Sequence, residues 1–258
     1  MTGARSVEYN ESVSDLENRI RAHKRFSKTS LEKVLKACLD HVHNNSKILD
    51  LGCGSGNFYE LFASKAQCYV GIDISKDLLQ EFSCKRQQGA LLINSSMDAL
   101  PVFQHGSFDA IFSVYSIYYT MRPVDLVKNL HSLLSDDGYL FVVGPSKSTH
   151  AVEINEFCKK IIVGKGPVVK KNVRIDNFHS KIVPEIFRRF STANLDEVDG
   201  SLYFPSSEEW AKYVCSTPQV RECSDLHAEE LLARATEYSE TNNCLLVSKY
   251  ITVVTARK

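Results

Sequence analysis

The chain has no surplus of charge. Lys and Arg together number 31 and Asp and Glu number 31, so no net field draws it towards a polyanion or an anionic membrane surface. That balance favours a small or neutral substrate and makes nucleic acid an unlikely partner. No stretch is long and apolar enough to span a bilayer, and the first ten residues lack the apolar core of a signal peptide. The eight cysteines, at positions 38, 53, 68, 84, 158, 215, 223 and 244, include no C-x-x-C pair and no Cys/His grouping at zinc spacing. They read as reduced thiols of a soluble, cytoplasmic protein, and no metal site is expected. Internal repeats, low-complexity tracts and linkers are also missing. At 258 residues and 43% hydrophobic composition, one α/β domain is expected, as a monomer or homodimer.

What is present centres on Lys47 to Gly56, Lys-Ile-Leu-Asp-Leu-Gly-Cys-Gly-Ser-Gly. An apolar run, Ile48, Leu49 and Leu51, stops at glycines, and a helix is expected over 57–66, so the unit is strand, glycine turn, helix. Such a turn lets a ligand lie against the main chain, and the helix start offers N–H groups to a negative group. A dinucleotide fingerprint, G-x-G-x-x-G, fails here because Asn57 stands where the third glycine is needed. Asp50, two residues before the turn, would repel a pyrophosphate and attract an ammonium or sulfonium. Asp73 closes the next apolar run, Tyr69 to Ile74, at the separation where an acidic group meets ribose hydroxyls.

Ile48 to Gly56, followed by Val70-Gly71-Ile72-Asp73-Ile74-Ser75, resembles motifs I and II of the class I S-adenosylmethionine-dependent methyltransferases, and the likeness runs in register over Lys47 to Pro145. The resemblance implies a doubly wound α/β fold: a mostly parallel, seven-stranded sheet with an antiparallel C-terminal strand, N-terminal helices and a helical substrate-side insert. It divides a single domain into a helical lid (1–45), a cofactor core (46–145), a substrate-side insert (146–200) and C-terminal helices and strand (201–258). S-adenosylmethionine is the cofactor it implies, held by Asp50, Gly52, Cys53, Gly54, Asp73, Ile74, Ser96, Met97 and Ser113. At 94–101 relatives usually carry Gly-Asp-Ala-x-x-Leu-Pro, with the Asp on the adenine amine. This chain has Ser96 and Met97 at those positions, and Asp98 falls in another register.

Elsewhere, helices are expected from Ser14 to the first strand, over 76–88, 124–134, 150–163, 182–190, 206–215 and 227–241. Residues 164–181 read as a basic connection. The fourth strand's exit aims Ser113, Tyr115, Tyr118 and Tyr119 at the cofactor crevice, since ligands of open α/β sheets sit beyond the strands' carboxyl ends. Asp109, before that strand's apolar run, reads as an anchor. The final strand, 245–255, alternates apolar and polar residues as a half-exposed edge or hairpin strand would.

Methyl transfer from a sulfonium needs chiefly in-line positioning, and a base only where the acceptor begins protonated. His179, Tyr118 and Tyr119 are the catalytic candidates. His150, Glu153, Phe157 and Phe178 are further pocket candidates, and Tyr9, Arg19, Arg21 and Arg25 are candidates for the lid. The expected activity is methylation of a small molecule at N or O. Methylation of RNA or protein, suggested by the basic run at 165–181, and donor binding without catalysis are the alternatives.

Overall fold

The computed structural model describes residues 13–85, 89–161, 173–224 and 226–258. In chain order the elements are α1 (Val13–Phe26), α2 (Leu31–Leu39), β1 (Ser46–Leu51), α3 (Tyr59–Ala63), β2 (Ala66–Asp73), α4 (Lys76–Cys84), β3 (Ala90–Asn94), β4 (Phe108–Val114), α5 (Pro123–Leu133), β5 (Leu134–His150), α6 (Val152–Ile161), α7 (Val173–Asn177), α8 (Val183–Arg189), β6 (Thr192–Asp199), β7 (Leu202–Tyr203), α9 (Ser207–Cys215), α10 (Pro218–Cys223), α11 (Ala228–Asn242), β8 (Leu246–Val247) and β9 (Lys249–Arg257). Local chemistry sets several boundaries. Ser75 and Ser206 cap α4 and α9 by accepting the N–H groups of Leu78 and Glu209. Pro123 opens α5, where its missing N–H costs nothing. Asn243 closes α11 in the left-handed conformation at φ 48°.

The chain forms two compact units. The sheet unit comprises 32–147, 172–198 and 251–258, and the helical unit comprises 1–31, 148–171 and 199–250.

In the sheet unit the strand order is β3-β2-β1-β4-β5-β9-β6, a mostly parallel sheet with one antiparallel strand. Ile48, Leu49 and Asp50 of β1 pair with Tyr69, Val70 and Gly71 on one side and with Ala110, Ile111 and Phe112 on the other. The order reverses between β1 and β4, so the ligand crevice of this topology lies beyond the carboxyl ends of those strands. Phe62, Phe112 and Phe141 stack across the centre at 4.3 and 4.7 Å between rings, fully buried. Asp109 anchors β4 as read from the sequence: its carboxylate accepts the Lys47 N–H at 2.8 Å and the Ser135 hydroxyl at 3.1 Å.

Two expectations need correction. The last strand is interior, between β5 and β6, and Ile251 to Val254 are all buried. The exposed edge is β6, whose Thr192 and Leu195 to Glu197 face outward. Residues 173–181, read as part of a connection, form α7 and most of a π-helical turn, Phe178–Ile182, that continues into α8. The earlier part of that basic run, with Lys165, Lys170 and Lys171, lies outside the described residues.

The helical unit has its own core, in which Phe157, Trp210, Val214, Val220, Ala235 and Val247 are fully buried. The Trp210 indole donates to the Leu246 carbonyl at 3.1 Å. Within this unit Lys249 is buried, 3.2 Å from the His23 imidazole, which also meets the Tyr213 hydroxyl at 3.3 Å. Burial, with the Arg19 charge added, lowers the Lys249 ammonium to about 7.

Candidate active site

The glycine turn is made by three positive φ angles, at Gly52 (80°), Gly54 (54°) and Gly56 (75°). The three glycines are there for two different reasons. A Cβ on Gly52 would stand 2.3 Å from the Ser116 Cβ, and one on Gly56 would stand 2.7 Å from the Phe82 ring. At Gly54 the nearest atom is the Leu78 Cδ1 at 3.9 Å, so its Cβ direction is open. Gly52 and Gly56 let the fold close, and Gly54 keeps a space beside the main chain.

The turn's N–H groups are used within the fold. Those of Gly52 and Cys53 both donate to the Ile72 carbonyl, at 2.7 and 3.1 Å, and that of Gly56 to the Cys53 carbonyl at 3.0 Å. The Gly54 N–H donates to Asp73 Oδ2 at 2.8 Å. The helix that follows, α3, is five residues long, shorter than the sequence suggested, and starts only at Tyr59. This corrects the expectation that the turn and helix start offer N–H groups to a negative group: these four donors are satisfied, Asp50 and Asp73 stand beside the turn, and the Lys85 ammonium donates to the Ser55 carbonyl at 2.8 Å.

Asp73 is half-buried at the end of β2. Its second oxygen accepts the Ser75 N–H at 2.8 Å, so two backbone donors hold the carboxylate while further lone pairs stay available to hydroxyl donors. Burial raises its pKa, against the opposing pull of those N–H groups. Asp50 is buried at the end of β1, and the Tyr69 hydroxyl donates to its Oδ2 at 2.8 Å. Burial pushes the Asp50 carboxyl up to about 7; the Tyr69 bond opposes this and the Asp73 charge adds to it. A cation nearby would bring it back to the charged form. Cys53 is buried at the tip of the turn, and burial raises its thiol, which leaves it unreactive.

Around the turn the sequence candidates separate. Ile74 is 64% exposed beside Asp73, an apolar surface open to a flat ring. Ser96 is half-buried and its hydroxyl accepts the Asp98 N–H at 3.2 Å, capping a short 3-10 turn, while Met97 packs against the sheet core. Asp98 is taken up elsewhere: the Thr120 hydroxyl and, at 2.9 Å, the Met121 N–H both donate to it. Ser113 does not reach the crevice. It is fully buried and bonds the Leu51 carbonyl and the Ser116 hydroxyl, at 3.3 and 2.5 Å, tying β4 to β1. Ser116, which donates to the same carbonyl, and Tyr69 are the site residues that sequence reasoning missed. A serine beneath a glycine and a tyrosine beneath an aspartate leave no local signal.

Beyond β4 and β5, Tyr118 and Tyr119 lie half-buried with ring centroids 5.0 Å apart, and Tyr118 meets the Phe178 ring edge-on at 6.2 Å. Phe178 is fully buried, and its ring is 4.8 Å from His179. The π-helical turn brings His179 Nε2 within 2.8 Å of the carbonyl of Pro145, which lies in β5 just past the pairing with β4. A carbonyl only accepts, so Nε2 carries the hydrogen and the neutral ring presents its lone pair at Nδ1. The other pocket candidates fall outside this group. In the helical unit Glu153 accepts the N–H and hydroxyl of Ser248, and Phe157 is core. Of the lid candidates, Arg19 donates to the Ser216 carbonyl, Arg21 to Asn18, and Arg25 lies over Phe26. Tyr9 and the His150 side chain lie outside the described residues.

Residues 49–142 match the family model described as a methyltransferase domain. The match spans little more than a third of the chain; the strand order and the glycine turn agree with it, and S-adenosylmethionine is the cofactor that this resemblance implies. The fold of the chain is similar to a "SAM-dependent methyltransferase, possible histamine N-methyltransferase" of Thermotoga maritima (TM-score 0.56, 18% identity, 95% of this chain and 96% of that one). It is also similar to a SAM-dependent methyltransferase of Archaeoglobus fulgidus (TM-score 0.50, 18% identity, 89% and 95%). By sequence it is 33% identical to the tRNA U34 carboxymethyltransferase of Aeromonas hydrophila over 99 residues, 36% of this chain and 30% of that protein. The chain therefore matches less than a third of that relative's length.

The residues present fit the cofactor. Gly54 leaves room against the main chain, Asp73 has lone pairs for hydroxyls, Ile74 offers an apolar face, and Asp50 and Asp73 favour a positive group.

Proposed function

We propose that this chain transfers the methyl group of S-adenosylmethionine to a nitrogen or oxygen of a small-molecule acceptor. The observation that carries the donor half is the open main chain at Gly54, with Asp73 fastened to its N–H. When bound, the cofactor supplies a methyl group already activated by a positively charged sulfur. Asp50, Gly54, Asp73 and Ile74 hold it in this reading, Gly52 and Cys53 shape the turn, and Ser96 and Met97 border it.

The acceptor half is supported by the row of rings Tyr119, Tyr118, Phe178 and His179 beyond β4 and β5. Ring faces favour flat or cationic acceptors by roughly 0.5–2 kcal/mol. His179 is the base for an acceptor that begins protonated, because the Pro145 carbonyl fixes the tautomer that leaves Nδ1 able to take a proton. Tyr118 and Tyr119 position the acceptor.

The name of the curated relative favours a second reading, an RNA acceptor, and removes the argument from net charge that nucleic acid is an unlikely partner. Incubation with methyl-labelled donor, a panel of amines and alcohols that includes histamine, and total tRNA separates the two. Label in a small molecule is expected. Label in RNA alone overturns the first reading for the second, and donor binding with no label in either makes the chain a binding module.

A further inference from the structure

Arg174 stands apart from most arginines of the chain. Arg122, Arg188, Arg189, Arg221, Arg234 and Arg257 each meet a carboxylate. The Arg174 guanidinium instead lies over the Tyr119 ring, 4.7 Å from its centroid, and no carboxylate of the described residues pairs with it. It is half-buried on α7. A guanidinium held over a ring keeps a planar fork of N–H donors that matches the two oxygens of a carboxylate or phosphate.

The platform beneath it is fastened. The Asn177 amide donates to the carbonyls of Tyr118 and Thr120, at 3.2 and 3.1 Å, and holds α7 to the segment leaving β4. Thr120 and Met121 are held in turn by Asp98. From Arg174 the row continues through the half-buried Tyr119 and Tyr118, is backed by the fully buried Phe178 and ends at the half-buried His179. Each step is a ring contact of 4.8 to 6.2 Å, and the whole row stands at the carboxyl ends of β4 and β5, where this topology receives its ligands. A cation oriented by stacking, on a fixed support, at one end of an aromatic row, is an arrangement for capturing an anionic group with little ordering cost.

We propose that Arg174 is an acceptor-recognition residue, and that the acceptor is an aromatic or similarly flat small molecule bearing a carboxylate or phosphate. The anion meets the edge of the Arg174 guanidinium and the flat part lies along Tyr119 and Tyr118. In its use for methyl transfer this rests on the proposed function, but the binding it describes does not.

Benzoate, phenyl phosphate and the neutral isostere benzamide, titrated calorimetrically into the full chain with and without S-adenosylhomocysteine, test it. Benzoate or phenyl phosphate should bind at least tenfold more tightly than benzamide, and whichever of the two is stronger identifies the anion. In Arg174→Met that advantage should vanish while S-adenosylhomocysteine binds as before, and Arg174→Lys should restore it only in part. Equal binding of benzoate and benzamide, no binding of either anion to the wild type, or unchanged anion affinity in Arg174→Met would overturn the assignment. So would displacement of benzoate by a single-stranded oligonucleotide at lower concentration than phenyl phosphate requires. Failure of S-adenosylhomocysteine to bind the wild type would instead count against the methyl-transfer reading, since the anion titrations without cofactor are read separately.

Discussion

At Gly52 and Gly54 one residue type meets two demands, and substitution separates them. Gly52→Ala drives a Cβ into Ser116 at a backbone angle of φ 80°, so unfolding free energy should fall by about 2–4 kcal/mol in denaturant titration, from overpacking and left-handed strain together. Gly54→Ala meets only the Leu78 Cδ1, at an ordinary contact distance of 3.9 Å, and should cost about 1 kcal/mol of backbone strain, while cofactor affinity falls by tenfold or more in a binding titration. Normal cofactor affinity in folded Gly54→Ala would remove the cradle from the binding site. Asp50 adds a pH dependence. Its carboxyl, raised by burial to about 7, is neutral well below that pH and charged above it, and only the charged form attracts a cation. Affinity for the positively charged donor should therefore rise as pH increases through about 7, with a proton released on binding in the acid half of that range. In Asp50→Asn the part of the slope due to this group should disappear from the pH series. For folding the sign is opposite: a carboxyl whose folded pKa lies above its unfolded value stabilises the native state as pH falls from about 7 towards 4 and ceases to do so as pH rises. The glycines, Asp50 and Asp73 were legible in the sequence because their spacing, from Asp50 through Gly52, Gly54 and Gly56 to Asp73, is itself the signal. Ser113 was misplaced because strand alternation gives a direction but not the depth at which β4 sits beside β1.

At the scale of elements, the segment after the described part of α6 escaped the sequence reading. Residues 173–182 carry no clean helical period, because the chain passes from α7 into a π-helical turn before α8, and a π-turn shifts the register of the buried face. What holds it is distant in sequence: Asn177 bonds carbonyls 57 and 59 residues earlier. Asn177→Ala should remove these two bonds at about 1–2 kcal/mol, lowering the melting temperature by a few degrees. His179 and Arg174 should lose order with it, visible as weaker anion binding at unchanged donor affinity. An unchanged melting temperature would show that the π-turn does not depend on this clamp. The last strand was misread for a related reason. Its polar residues suggested an edge, but Thr252 is fully buried, and only the pairing order shows that β6 lies outside β9.

For the whole molecule, the order of the sheet and the motif block were readable together, since the strands from β1 to β5 follow the chain through short crossovers. The helical unit was not readable as a unit, because its three segments are far apart in the chain and meet only in the folded core around Trp210 and Phe157. A local pattern cannot announce such an assembly. In the sheet unit, the turn between β1 and α3 is the proposed seat of a methyl donor with a ribose and a positive charge. Calorimetric titration of S-adenosylmethionine into the wild type and into Asp73→Asn tests it most directly. The Asn side chain keeps an acceptor for the Gly54 N–H, gives up the bond to the Ser75 N–H and loses the charge, so with folding verified separately donor affinity should fall by about 1.5–3 kcal/mol, the value of hydrogen bonds to a charged group. Wild-type affinity in a folded Asp73→Asn protein, or no binding to the wild type, would contradict the account.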